Sequence, residues 1–245
     1  MITLQEFCKN LGEKLDVSDF EDYCPNGLQV EGKTIIKKGA FAVSATLETI
    51  ESAVDWGADI LVVHHGLFWQ NDSYVVQGPK KEKLAYLLSN SLSLAAYHLP
   101  LDAHRSIGNN WKAAEEMKWK KLRPFSIGVQ GEIDEISPQA FAGQLEHYYS
   151  HEAMYAPGKS KTIKRVALVS GGAYKLLPEA KKAGVDAFVT GNFDEPAWYL
   201  AKEHGVHFYS LGHSATERVG PRALAEWVRD SIGIQTTFLD IENPF

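Results

Sequence analysis

The chain has 245 residues, of which 44% are hydrophobic and 23% are charged, and its formal net charge is −6 at pH 7. This composition is typical of one large or two small globular domains with a well-buried core. The acidic balance argues against a broad nucleic-acid-binding or anionic-membrane surface. Because no apolar run approaches about 18 residues and no signal peptide is evident, we expect no membrane span and a cytoplasmic location. Two cysteines without a C-x-x-C motif favour a reduced compartment.

The first half of the chain alternates predicted helices and strands. Thr3 and Glu6 form a capping box for the first helix, and a turn-rich segment over 23–32 would leave Cys24 exposed. The strands and helices that follow are predicted at Ala40–Val43, Leu47–Gly57, Asp59–Val63, Lys80–Asn90 and Leu92–Tyr97. Strands that alternate with helices in this way predict a mostly parallel α/β sheet.

The second half repeats the first. The segment Ala53–Val63 matches Ala180–Thr190, since in both a helix ends near glycine, an acid follows and an apolar strand leads into a loop. The segment Leu94–His98 likewise parallels Val206–Ser210. We therefore predict an α/β protein of two similar, interlocked domains, each with a mostly parallel sheet flanked by helices, and a site between the domains.

A helix separates the two predicted domains. Ser137 caps it, Pro138 starts it, and the strand Ile163–Val169 opens the second sheet. We place the first domain at 1–125 and the second at 126–245.

Two adjacent histidines, His64 and His65, follow the apolar run Ile60–Val63. Neighbouring residues on an extended backbone point to opposite sides, so one pair does not easily serve one ion. The pair is instead expected to serve two ions, or one ion and a substrate.

Polar residues gather in three loops, each after a predicted strand, where α/β sheets collect their ligands. The loops hold His64 and His65, then His98, Asp102 and His104, then His213 and Glu217. Any helical turn places His213 and Glu217 on one face, because they are four residues apart. Each histidine alone is more commonly structural, and Glu217 alone is explained as a helix-start carboxylate. Their coincidence at strand ends predicts a metal site.

The donor set contains nitrogen and oxygen but no sulfur, which suits Fe, Mn, Co, Ni or catalytic Zn rather than a structural zinc site. Phe68 and Trp69 follow the histidine pair and are more commonly wall or core residues than a stacking platform. Gly171-Gly172 is either a phosphate cradle or a tight turn. A P-loop, a dinucleotide fingerprint and a nucleophile elbow are all absent from the sequence.

Four motifs together resemble one known family, the GTP cyclohydrolase 1 type 2 homologues, also described as Ngg-interacting-factor-three-like proteins. They are Pro25–Gly32, His64-His65-Gly66, the segment His98–Asp102 and the segment Gly212–Glu217. The resemblance runs from the first helix to Phe238–Ile241, and the chain is similar to the short form of the family.

The resemblance implies two divalent ions per subunit (Fe, Mn, Zn, Co or Ni) and a homohexameric ring whose sites face an internal cavity. The implied ligands are His64, His65, Asp102, His213 and Glu217, with Glu217 bridging the ions. His98 would lie behind the ligands or contact substrate, as a candidate proton shuttle, and His104 and Phe68 would contact substrate. Many relatives carry an acid where this chain has Asn192, so the role of that acid is in doubt here.

The expected function is hydrolysis of GTP or a related nucleotide. In the GTP reaction, a hydroxide supplied by the ions would add at C8 of the purine and open the imidazole ring to a formamide, and a second water would release formate; a phosphate ester is the other candidate substrate. The alternative is a non-catalytic, metal-binding, ring-forming scaffold or interaction protein. The sequence favours that alternative by showing no evident purine pocket and no phosphate-binding lysine cluster.

Overall fold

The computed structural model describes every residue from Met1 to Phe245. Thirteen strands are β1 (Ile2–Thr3), β2 (Gly27–Val30), β3 (Ile35–Ile36), β4 (Lys38–Ser44), β5 (Ile60–His65), β6 (Ser93–Ala96), β7 (Lys120–Phe125), β8 (Gly128–Ile136), β9 (Met154–Ala156), β10 (Ile163–Leu168), β11 (Ala187–Thr190), β12 (His207–Ser210) and β13 (Gln235–Phe238). Ten helices are α1 (Leu4–Lys14), α2 (Leu47–Trp56), α3 (Gly78–Ser89), α4 (Leu99–Ala103), α5 (Asn109–Glu116), α6 (Pro138–Tyr149), α7 (Leu177–Lys182), α8 (Glu195–His204), α9 (His213–Thr216) and α10 (Val219–Ile232). None of the helices combines the length and the apolar character that crossing a membrane requires.

The chain divides into two compact α/β units. Unit 1 comprises 1–107 and 220–242, and unit 2 comprises 108–219 and 243–245. The division predicted after residue 125 falls between β7 and β8, which are adjacent antiparallel strands of one sheet. The units differ from the predicted division because the chain returns to unit 1 near its end, where β13 pairs in parallel with β4.

The sheet of unit 1 has the strand order β13-β4-β5-β6-β2, and only the β6–β2 pair is antiparallel. Its central strand β5 is buried on both sides, with Ile60 and Val62 in one apolar cluster and Leu61 and Val63 in another. Each such side chain contributes about 1.5–3 kcal/mol of burial free energy. Helices α1 and α10 cover the first cluster and α2 and α3 the second, which confirms the predicted layered arrangement.

The predicted helix starts are confirmed in both units. Thr3 Oγ1 accepts a hydrogen bond from the backbone N–H of Glu6 at 3.2 Å, at the start of α1. Ser137 Oγ accepts one from the backbone N–H of Ala140 at 3.2 Å, at the start of α6. Gly57 ends α2 with φ = 79°, a left-handed conformation that glycine adopts without a steric penalty.

The sheet of unit 2 has the strand order β7-β8-β10-β11-β12-β9. Its centre, β10-β11-β12, is parallel, while β7, β8 and β9 pair antiparallel at the two edges. The sheet is therefore mixed, with a parallel centre of the kind that the helix–strand alternation predicts. Apolar residues of α5 and α6 cover one face, and those of α7 and α8 cover the other.

The predicted repeat is visible in the matching centres β4-β5-β6 and β10-β11-β12. The acid after each helix performs the same task in both units. Asp59 Oδ2 accepts hydrogen bonds from the two backbone N–H groups of Lys37–Lys38, at 2.8 and 3.0 Å. Asp186 Oδ2 accepts them from Lys164–Arg165, at 3.1 and 2.8 Å. Each carboxylate thus ties the start of its own strand to the start of the neighbouring strand.

Candidate metal centre

Two histidines end the central strand of unit 1, since β5 extends through both His64 and His65. The ring of His64 is fully buried, and its Nδ1 lies 3.0 Å from the carbonyl oxygen of Tyr97. A carbonyl only accepts hydrogen bonds, so Nδ1 of His64 carries the proton and Nε2 has the lone pair that a metal needs. Nδ1 of His65 is held in turn by the hydroxyl of Ser44 at 3.0 Å.

The rings of the histidine pair lie closer together than strand alternation predicts. Their centroids are 4.7 Å apart, although the expectation was that the two side chains would point to opposite sides. His98, which follows β6, joins them: one ring nitrogen from each of the three histidines lies within 4.8 Å of the others. The expected separation of the two rings is wrong, because the alternation rule describes Cα–Cβ directions and not where a ring ends.

Asp102 adds a carboxylate to this group from α4. Its Oδ2 lies 3.5 Å from Nε2 of His64, and the whole residue is 6% exposed. Two ligand atoms that bind one ion at about 2.1 Å each, at a tetrahedral angle, are about 3.4 Å apart. The spacing between His64 and Asp102 therefore suits a shared divalent cation.

Unit 2 carries a second pair, His213 and Glu217. The short helix α9 begins at His213, separated from β12 by Leu211 and Gly212, and Nε2 of His213 lies 3.2 Å from Oε1 of Glu217. Glu217 is only 2% exposed. The predicted approach of these residues across one helical turn is confirmed, and their spacing again matches that of two ligands on one ion.

Asn192 orients the histidine of this pair. Its Oδ1 lies 3.1 Å from Nδ1 of His213, so the amide oxygen accepts the Nδ1 proton and leaves Nε2 for a metal. An acid at this position would accept the same proton. The amide therefore fills the orienting role that its departure from the family pattern put in doubt.

Gly171 makes room for Glu217. Its φ is +66°, and a Cβ atom there would meet Oε1 of Glu217 and Nε2 of His213 at 2.4 and 3.2 Å. Its N–H donates to Oγ1 of Thr216 at 3.0 Å, and its carbonyl accepts from the N–H of Gly191. Because this N–H is already bound, Gly171 acts as a tight turn against the ligands rather than as a donor to phosphate.

The residue that holds His98 was missed by the sequence analysis. Nδ1 of His98 lies 2.9 Å from Oδ1 of Asp22, and the backbone N–H of His98 donates to Oδ1 of Asn26 at 2.7 Å. Burial raises the pKa of Asp22, but hydrogen bonds from His98, Asn26 and Leu99 outweigh it and hold that pKa well below its usual range. Asp22 precedes the turn-rich Pro25–Gly32 motif, and no spacing in the sequence connects it to His98.

Two residues predicted to contact substrate have other partners. Nδ1 of His104 accepts the backbone N–H groups of Ser106 and Ile107, both at 3.2 Å, so this ring stabilises a turn. The ring of Phe68 lies under the ammonium group of Lys80 at 4.8 Å. Their roles toward a substrate stay predictions.

The exposure predicted for Cys24 is wrong. Cys24 is 1% exposed, because the turn that carries it packs into the apolar cluster that α2 and α3 cover. Burial raises the pKa of its thiol to about 11, so the thiolate is scarce at neutral pH.

The chain is similar to known proteins over almost its whole length. The model of the Duf34/NIF3 (NGG1p interacting factor 3) family matches residues 2–244. A GTP cyclohydrolase 1 type 2 homolog of Chlamydia trachomatis serovar D is 46% identical over 242 residues, and one of Escherichia coli K12 is 38% identical over 245; each alignment covers 96% of both chains. The solved structure of the protein ybgI, described as of unknown function, is 37% identical with a TM-score of 0.97. That of TTHA1606 from Thermus thermophilus is 33% identical with a TM-score of 0.94, and both cover 100% of each chain.

Proposed function

This chain belongs to the Duf34/NIF3 family, and we propose that it is a hydrolase that depends on two divalent cations and acts on GTP or a related nucleotide. One observation carries the proposal. In each unit, a histidine Nε2 lies 3.2–3.5 Å from a buried carboxylate oxygen, while a protein acceptor holds the Nδ1 of that histidine. A ring fixed in this way is prepared to bind metal through Nε2.

The proposed ligands are His64, His65, Asp102, His213 and Glu217. Bound divalent cations lower the pKa of a water molecule enough for hydrolysis to proceed at neutral pH. The burial of His64 and Glu217 keeps bulk water away from these two donors, which strengthens their charge interactions. Nε2 of His98 is the proposed proton acceptor.

Charge supports an anionic substrate. Three neutral imidazoles and two carboxylates supply two negative charges, whereas two divalent cations carry four positive ones. The loaded centre would keep a net positive charge, which attracts a phosphate-bearing molecule. GTP, which the name of the relatives contains (GTP cyclohydrolase 1 type 2 homolog), is such a molecule.

Product release from nucleotides tests the proposal. Metal-reconstituted protein is incubated with GTP and with ATP, and formate and phosphate are measured. We expect release by the wild type and by the control His147→Ala, which changes an exposed histidine on α6. The His64→Ala variant should lose about 100-fold or more of the activity.

Fully loaded protein that releases neither product would contradict the hydrolase proposal and favour the metal-binding scaffold.

We also propose that the chain assembles as a homohexamer. Its mass in solution would then be six times the 27.2 kDa of one chain, and a monomer mass would contradict that assembly.

A further inference from the structure

Asp22 is a buried carboxylate outside the proposed ligand set, and the side chain is only 2% exposed. It accepts hydrogen bonds from His98 Nδ1 at 2.9 Å, Leu99 N at 2.9 Å, Asn26 Nδ2 at 3.0 Å and Cys24 N at 3.2 Å. A carboxylate removed from water is costly unless its lone pairs are satisfied. Four donors, two from residues 24–26 and two from residues 98–99, satisfy the lone pairs of the Asp22 carboxylate.

We propose that Asp22 is a positioning residue that fixes the neutral His98 ring with its proton on Nδ1 and its lone pair on Nε2. The structure assigns this tautomer because the carboxylate accepts and does not donate. The opposite tautomer would set a nitrogen lone pair against a carboxylate oxygen only 2.9 Å away. The functional value of a basic Nε2 rests on the proposed hydrolase function.

The His98 ring is held against rotation as well as in its tautomer. Tyr23 and Trp69 contact it edge-on, with centroids 5.0 and 5.2 Å away. The rings of His64 and His65 lie 4.9 and 5.7 Å from it. Asp22 accepts the one hydrogen bond of the His98 ring. Removing the Asp22 carboxylate therefore allows the proton to move to Nε2, while the surrounding rings still hold the His98 ring in place.

The backbone around His98 is held by the same segment. Asn26 accepts the N–H of His98 through Oδ1 and donates to Asp22 through Nδ2. The N–H of Leu99, the first residue of α4, donates to the other oxygen of Asp22. The acid Asp22 and the amide Asn26, in one turn early in the chain, therefore hold together the His98 ring and the start of α4, which lie 72–77 positions away.

The tautomer is measurable without metal or substrate. The 15N chemical shifts of ring nitrogens distinguish the two neutral tautomers, and the spectrum of His98→Gln identifies the His98 signals by their loss. We expect the Nδ1–H form in the wild type and in Glu21→Gln, which changes the exposed neighbouring acid. In Asp22→Asn, whose amide is able to donate, we expect a shift toward the Nε2–H form. An Nε2–H form in the wild type, or an unchanged His98 in Asp22→Asn, would overturn the proposal.

Kinetics then test whether Asp22 acts through His98. In metal-loaded protein, Asp22→Asn should lose about 10–100-fold of the hydrolytic activity. The double variant Asp22→Asn/His98→Gln should be no slower than His98→Gln alone. Losses that multiply in the double variant would show that Asp22 acts by another route. A wild type that hydrolyses nothing would instead contradict the proposed function, and the tautomer measurement would still decide the role of Asp22.

Discussion

The two units build the same imidazole–carboxylate pair by different means. In unit 1, His64 is the second-last residue of a buried strand and Asp102 lies on a separate helix, so tertiary packing sets their 3.5 Å spacing. In unit 2, His213 and Glu217 span one helical turn, so local geometry sets their 3.2 Å spacing. The imidazole–carboxylate distance in unit 2 is therefore set within one helical turn. The corresponding distance in unit 1 depends on the strand register of a whole sheet.

The largest expected effect concerns Glu217, the proposed bridge. If Glu217 bridges two cations, its carboxylate offsets their mutual repulsion, and that repulsion is left uncompensated when it is removed. We expect Glu217→Ala to lose both ions, as measured by elemental analysis after dialysis. The control Glu203→Ala removes an exposed acid from α8 of the same unit and should keep both. Two ions per chain in Glu217→Ala would show that it does not bridge.

The next prediction concerns Gly171, which leaves room for the side chains of Glu217 and His213. Gly171→Ala would place Cβ 2.4 Å from Oε1 of Glu217 and strain a backbone with φ = +66°. We expect metal affinity to fall by about 10–100-fold, as measured by competition with a chelator. The matched change Gly143→Ala lies in α6 with nothing within 4 Å; it should keep the affinity and stabilise the fold by about 0.5–1 kcal/mol. Equal affinities in the two variants would rule out a spatial role for Gly171.

A smaller effect compares the residues that orient a histidine in each unit. Asn192→Leu removes the acceptor of His213 Nδ1, and Ser44→Ala removes the partner of His65 Nδ1. We expect metal affinity to fall by about 10-fold or more in Asn192→Leu and by less in Ser44→Ala, because the strand still fixes His65. Asn192→Asp, which keeps an acceptor, should bind as well as the wild type. A loss in Asn192→Asp as large as in Asn192→Leu would contradict the orienting role.

The smallest effect concerns stability and the repeated acids Asp59 and Asp186. Hydrogen bonds to a charged group contribute about 1.5–3 kcal/mol. Asp59 pairs with Lys33 at 2.7 Å and Asp186 with Arg165 at 3.3 Å, so we expect Asp59→Asn to lower the urea midpoint more than Asp186→Asn. The opposite order would show that the shorter contact with Lys33 does not set the difference between the two acids.

The acid Asp59 also predicts a pH dependence. Its burial raises its pKa, but hydrogen bonds from Lys33 and from the backbone of Lys37–Lys38 outweigh this and lower it. A lowered folded-state pKa stabilises the fold above the unfolded value of about 3.9 and loses that contribution as the pH falls below it. The stability difference between the wild type and Asp59→Asn should therefore shrink in acid, which urea unfolding at pH 7 and pH 3 would measure. A constant difference would contradict it.

The local parts of this molecule were predictable from sequence, because short-range patterns determine them. The apolar run before His64 predicts a buried strand, and the four-residue spacing of His213 and Glu217 predicts their approach. The glycine and acid that recur near Asp59 and Asp186 predict the repeated unit. Each of these signals lies within about one turn or one strand of the residues that it concerns.

The long-range parts were not predictable in the same way. No period or motif connects Asp22 to His98, since their contact depends on β2 pairing with β6. The return of β13 to the first sheet and the burial of Cys24 also depend on packing between distant segments. The alternation of side chains along a strand predicts the wrong positions for the rings of His64 and His65, because this rule describes Cα–Cβ directions and not where a ring ends.

The proposed hydrolysis depends on the binding of two divalent cations by nitrogen and oxygen donors of this chain. Equilibrium dialysis of metal-depleted protein against Mn²⁺ or Zn²⁺, followed by elemental analysis, measures that binding. We expect two ions per chain in the wild type and none in the double variant His64→Ala/Glu217→Ala. One ion or none in the wild type, or two in that variant, would contradict it.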